Sequence, residues 1–138
     1  MNTHEIYVSL EVAKLLKEAG FDWPTHYSYD LYLYNTEGEK RVIDGFASTL
    51  CNEHDGLASM PTLDVAQRWL REVKAMHICV KPNEASANCK YFVTVIVNDT
   101  KWGNVQDDNR KTIMFSTYEE AQEAGIKKCL TLLLNEDK

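Results

Sequence analysis

No apolar run in this chain of 138 residues approaches the roughly 20 residues that cross a bilayer, so a membrane span is not expected. The opening residues, MNTHEIYVSLEV, also lack the basic head and apolar stretch of a secretory leader. Basic charge is in deficit: 15 lysines and arginines face 21 acidic residues, for a net charge of −6. The basic residues gather no further than pairs (Lys40-Arg41, Arg110-Lys111, Lys127-Lys128), so nucleic acid is excluded as an expected partner. Six scattered glycines supply no phosphate-cradling loop, dinucleotide fingerprint or hydrolase elbow. The four cysteines (51, 79, 89, 129) have no disulfide-framework spacing. Reduced thiols and a cytoplasmic location follow as expectations.

What is present reads as a globular domain, because 44% hydrophobic residues suffice for a core at this length. Ser9 is placed to cap a first helix whose apolar face is Val12, Leu15, Leu16 and Ala19. Gly20 ends that helix, with Phe21 as the closing contact. After Asp22-Trp23-Pro24, HYSYDLYLY (26–34) reads as a strand, turning at Asn35–Gly38 into a second strand at 40–43. Residues 44–60 have no sustained period and are expected to connect, with one more short element. Thr62 caps a second helix carrying the stripe Leu63, Ala66, Trp69, Leu70, Val73 and Met76, with Gln67, Arg68, Arg71 and Glu72 on the wet side.

Two strands follow, at 77–81 and in the doubly apolar YFVTVIV run. A polar connection over 98–111 leads to a strand at 112–116. The closing helix is capped by Ser116 or Thr117 and shows an inner stripe of Tyr118, Ala121, Gly125, Cys129 and Leu132. Small Ala121 and Gly125 would let it lie close on a sheet. Adjacent strands rather than strand–helix alternation predict an α+β fold: one domain over 1–138, with three helices on a mainly antiparallel sheet of about five strands.

Chemistry-bearing constellations are few. Cys51 with His54, and His77 with Cys79, pair soft and borderline ligands, and the second pair shares one strand face; a zinc site would use these four. The commoner reading of such pairs is a polar loop and a half-buried strand, and no metal or other cofactor is assigned. A Cys-His nucleophile lacks an orienting third group, Cys129 lies on an inner stripe, and Glu119, Glu120 and Glu123 suit a helix start, so no enzyme is expected. A helix-turn-helix is excluded because Trp23-Pro24 and a strand occupy the place of its second helix.

Binding residues are sought among aromatics outside the helix stripes. Strand alternation divides the tyrosines: Tyr27 and Tyr29 join Leu31 and Leu33 on a core row, while Tyr32 and Tyr34 share the other row with Ser28 and Asp30. Trp102, beside Lys101 and near Arg110, stands in the long polar connection, where its neighbours do not place it in a core: it folds back as a lid over the sheet edge or, as the alternative, contacts a partner. The candidate contact residues are therefore Asp30, Tyr32, Tyr34, Lys101, Trp102 and Arg110.

The segments YVSLEVAKLLKEAGFD, PTLDVAQRWLREVKAMHICV, YFVTVIV and STYEEAQEAGIKKCLTLLL resemble a family of small uncharacterised proteins encoded by phages and prophages of Bacteroides-type bacteria. The resemblance covers about residues 7 to 134, apart from 44–59 and 98–111. It implies a setting, a bacterial host cytoplasm, and transfers no functional residue. The expectation is a non-enzymatic protein that engages a host or phage protein, with homo-oligomerisation left open. The alternative is sequestration of a nucleotide signal by tyrosine or tryptophan stacking and a basic phosphate contact; a zinc-binding protein comes third.

Overall fold

The structure, a computed structural model, describes residues 6–30, 42–49, 56–84, 90–97 and 100–136, with side chains described except at 26, 30, 42–49, 100–102 and 136. The chain divides into two compact units, Met1–Val65 and Ala66–Lys138.

In the first unit, Ser9 begins helix α1 (Leu10–Glu18) as its sequence position requires: its hydroxyl accepts from the Val12 N–H at 3.3 Å. The helix ends on Gly20 at φ 93°, a backbone region that suits glycine. Phe21 N donates to Leu16 O and Gly20 N to Lys17 O, the paired bonds that satisfy a helix's last carbonyls. The inward face is Val12, Ala13 and Leu16. Leu15 and Ala19, expected in the core, are only half-buried. The buried stripe is thus rotated toward Ala13, which a count of large apolar residues overlooks.

Strands β1 (Thr25–Asp30), β2 (Val42–Thr49) and β3 (Leu57–Ser59) form an antiparallel sheet in the order β2-β1-β3. Residues 44–60 are therefore not mainly a connection: they hold most of β2 and all of β3. The register of β1 against β2 shifts between Thr25 and Tyr27, while Ser28, Tyr29 and Asp30 face Ser59, Ala58 and Leu57 without interruption. Tyr29 is core, as alternation predicts, and its hydroxyl donates to Val8 O at 2.6 Å. Ser28 corrects the expectation of a wet opposite row, for it is buried and pairs with buried Ser59. Both faces of β1 are covered at this point, and small hydroxyls occupy the second. The turn expected at 35–38 lies outside the described residues.

Helix α2 (Leu63–Lys74) runs through the boundary between the units. Thr62 accepts from Val65 N at 3.2 Å, the cap its sequence position predicts. Tyr7 bridges Thr62 antiparallel, with Val8 N donating to Pro61 O and Leu63 N to Ile6 O. Leu63, Ala66, Trp69 and Leu70 are buried. Val73 is exposed and Met76 belongs to the next strand, because Ala75 turns the chain at φ 56°. The predicted stripe is too long by those two residues.

The second unit holds an antiparallel sheet in the order β4-β5-β6, from β4 (Met76–Pro82), β5 (Tyr91–Val97) and β6 (Thr100–Asn104). Met76, Ile78 and Val80 face Val97, Val95 and Val93 on one surface, against which helix α3 (Tyr118–Glu136) packs. Thr117 caps α3 by accepting from Glu120 N at 3.1 Å. A Cβ added to Gly125 would meet Ile78 Cγ2 at 2.7 Å and Val93 Cγ2 at 2.8 Å, so α3 lies as close to the sheet as its glycine allows. Ala121, Gln122, Ile126, Cys129 and Leu130 complete the buried face. Tyr118 is exposed and Leu132 half-buried, both outside the stripe assigned to them. The strand expected at 112–116 is reduced to two isolated bridges, Gln106 to Thr112 and Tyr91 to Phe115. The fold is α+β, with three helices and antiparallel pairing throughout; the described strands number six and form two sheets of three.

Candidate binding surface

Lys101 and Trp102 lie on β6, an edge strand of the second sheet, and not in the long loop expected over 98–111. Lys101 faces Ile96 and Gly103 faces Val95, leaving Trp102 as an extra residue in a β-bulge. Gly103 takes φ 98°, which accommodates the bulge at the position where the ladder breaks. Bulges recur at sheet edges and beside functional sites.

The rest of that polar stretch is a tight hairpin. Asp107 N donates to Lys111 O, Arg110 N to Asp107 O, and Ile113 N to Val105 O. The Asp107 carboxylate accepts from Asn109 N at 2.9 Å and Lys111 N at 3.0 Å, fixing the turn from within. At its base, Thr94 donates to Asn104 Oδ1 and the Asn104 amide donates to Thr112 Oγ1 at 3.3 Å, tying hairpin to sheet. The composition DDNRK was thus a turn signal placed on a short hairpin, and reading it as loop missed the strand before it.

Arg110 occupies this hairpin at φ 64°. For an L-residue that conformation is unfavourable by about 1–2 kcal/mol relative to the right-handed region, and glycine or asparagine ordinarily takes it. Arg110 is also exposed, and among the described residues no carboxylate pairs with its guanidinium. A long cation is held at a position that local backbone energetics would give to glycine.

The opposite edge strand of the same sheet, β4, is covered at one carbonyl. Gln67 Nε2 donates to Ile78 O at 3.1 Å, and Gln122 Nε2 donates to Gln67 Oε1 at 2.9 Å. Gln67 therefore does not sit on the wet side of α2 as its helical position suggests; it covers an outward carbonyl of β4.

The remaining sequence candidates are not gathered with these. Asp30 ends β1 opposite Leu57 in the first unit, its side chain outside the description. Tyr32, Tyr34, Cys51 and His54 lie outside the described residues. His77 is exposed and Cys79 half-buried on one face of β4, opposite Ile96 and Thr94. Among the described residues no three metal-ligating side chains cluster, and no helix is long and apolar enough to cross a membrane. Cys129 is core, and burial pushes its thiol up to about 12, far from the range of a reactive thiolate.

Two concavities in the first unit escaped the sequence reading. One, about 190 Å³, is lined by Tyr7, Pro24, Thr25, Met60, Pro61, Thr62 and Val65, and is smaller than the roughly 300 Å³ at which small-molecule pockets begin. The other is an open groove of about 330 Å³ whose described lining is Leu10, Glu11, Lys14, Leu15 and Glu18 of α1. Half-buried Leu15 was the available signal, since a leucine at the margin of a helix stripe lies where core ends and surface begins. Compared with known proteins, the chain matches no family model, no curated protein and no solved structure.

Proposed function

We propose that this chain is a non-enzymatic binding protein that engages a host or phage protein in the bacterial cytoplasm. Its contact surface is the bulged edge of the second sheet and the hairpin beyond it: Lys101 and Trp102 on β6, then Arg110. The observation that carries the reading is Arg110, an exposed arginine kept in a left-handed backbone position. Local strain retained at a solvent-facing residue supports a role for that side chain outside the fold. Arginine and tryptophan are the residues that most often anchor protein interfaces.

The test is affinity capture from bacterial lysate with the wild-type chain and with Trp102→Ala and Arg110→Gly, followed by mass spectrometry. A protein retained by the wild type and lost with both variants is expected. Capture that both variants leave unchanged, or repeated failure of the wild type to retain any protein, would refute the proposal. Native mass of the complex distinguishes a foreign partner from a second copy of the chain.

A further inference from the structure

The face of the second sheet turned away from α3 is basic, in a chain that is acidic as a whole. Met76, Ile78 and Val80 lie toward the helix, so alternation puts His77, Cys79 and Lys81 of β4 on the other face, opposite Ile96, Thr94 and Phe92 of β5. The pairing continues one step past the strand ends, because Asn83 N donates to Lys90 O at 2.7 Å. Lys90 therefore shares this face with Phe92, two residues further on. The bridge between Tyr91 and Phe115 sets Met114 on the far side of Phe92, and Asn83 Nδ2 donates to Met114 Sδ at 3.7 Å. Met114 is 40% exposed, Phe92 is half-buried, and Lys81 and Lys90 are both exposed.

Lys81 and Lys90 are diagonal neighbours across the strand pair, about 7–8 Å apart. Among the described residues no carboxylate pairs with either of them. None stands on this face in β4 or β5, and the turn between the strands contributes Glu84 beyond Asn83. Two cations that close repel one another, and Met114 beside them leaves apolar surface in water. One kind of occupant relieves both. We infer that this face docks an acidic segment of a protein, its carboxylates meeting Lys81 and Lys90 and an apolar side chain resting on Phe92 and Met114. Methionine suits such a surface, because its unbranched, polarizable side chain conforms to what it meets. The inference goes beyond the β6 edge: the segment lies on the face of the sheet, and its docking draws on none of Lys101, Trp102 and Arg110.

The probe is a short, fluorescently labelled peptide of alternating leucine and glutamate, with a twin carrying lysine in place of glutamate. Anisotropy titrations use the full chain. Its net charge of −6 repels the glutamate peptide and attracts the twin, so general electrostatics predicts the reverse of docking on this face. The glutamate peptide is expected to bind and the lysine twin not to bind. Joint Lys81→Glu and Lys90→Glu substitution should weaken binding about tenfold, the scale of 1.4 kcal/mol. Met114→Ala should weaken it as well, by removing the apolar contact. Joint Arg71→Glu and Lys128→Glu substitution makes the same change in net charge at exposed positions of α2 and α3, and should leave the affinity unaltered. Equal weakening by both charge-reversed pairs would overturn the site. So would equal binding of the two peptides, or no binding of the glutamate peptide. A single-stranded oligodeoxynucleotide that binds more tightly than the glutamate peptide would give the face to phosphate instead, and would overturn the inference in the same way.

Discussion

Gly125→Ala sets two large and opposite effects against each other at one atom. Alanine is favoured over glycine in a helix interior by about 1 kcal/mol, so propensity alone predicts a gain in stability. The new methyl, however, would stand 2.7 Å from Ile78 Cγ2 and 2.8 Å from Val93 Cγ2. Ordinary carbon contacts lie at about 3.5–4.0 Å, so the methyl intrudes on both neighbours by roughly 0.7 Å or more. Neither neighbour gives way readily: both are β-branched and stiff at χ1, both are buried, and they lie on adjacent paired strands. Overpacking of this kind costs about 1–3 kcal/mol, and two simultaneous overlaps place it in the upper part of that range. The expected net result is a destabilisation of about 1–2 kcal/mol, read by urea denaturation followed by circular dichroism. Val93→Ala removes one of the two overlaps, so Gly125→Ala should cost less in that background, with a coupling of about 0.5 kcal/mol or more. A variant stabilised by about 1 kcal/mol, with no coupling to Val93, would refute the close seating of α3 on the sheet.

Arg110→Gly relieves the left-handed strain and should raise stability by up to about 1 kcal/mol in thermal or urea denaturation while abolishing partner capture; a loss of stability would show that the arginine supports the hairpin. Gln122→Leu leaves Gln67 Oε1 without the Gln122 donor and should cost about 1–3 kcal/mol in urea denaturation, falling toward zero when Gln67 is also replaced. The Cys129 thiol ionises near 9.0 in the unfolded chain but only at about 12 in the fold, so its contribution is complete below pH 9 and declines by about 1.4 kcal/mol per unit toward pH 12. In Cys129→Ala that component of the alkaline decline should be absent, and identical pH profiles for the two proteins would contradict it.

Helix ends were the most legible part of the sequence, because a cap is a local event between residues three apart. Ser9, Gly20, Thr62 and Thr117 all do what their positions imply. Gly125 was legible for a related reason: a residue with no side chain on an inner helix face announces a close approach. Tertiary placement was less so. Leu15 and Leu132 carry apolar side chains at stripe positions yet lie at the margin of burial, while Ser28 and Gln67 carry polar ones and are engaged inside. Periodicity assigns a face, but only the opposing element decides how wide that face is and whether a polar group has a bonding partner there. Of the candidate site, the types Lys101, Trp102 and Arg110 were visible as surplus, whereas the strand that carries two of them was not. A five-residue edge strand containing Gly103 and broken by a bulge has no alternation to read.

The course of α2 through the boundary of the two units bears on how this protein can be taken apart. The cap at Thr62 and the bridge from Tyr7 lie on one side of Val65, and most of the helix, including Trp69, lies on the other. A fragment beginning at Ala66 would start inside a helical turn, with its first amide groups stripped of partners. A fragment ending at Val65 would keep a cap with almost no helix to hold. Either cut divides the helix, so any dissection of the chain has to carry residues 62–74 intact.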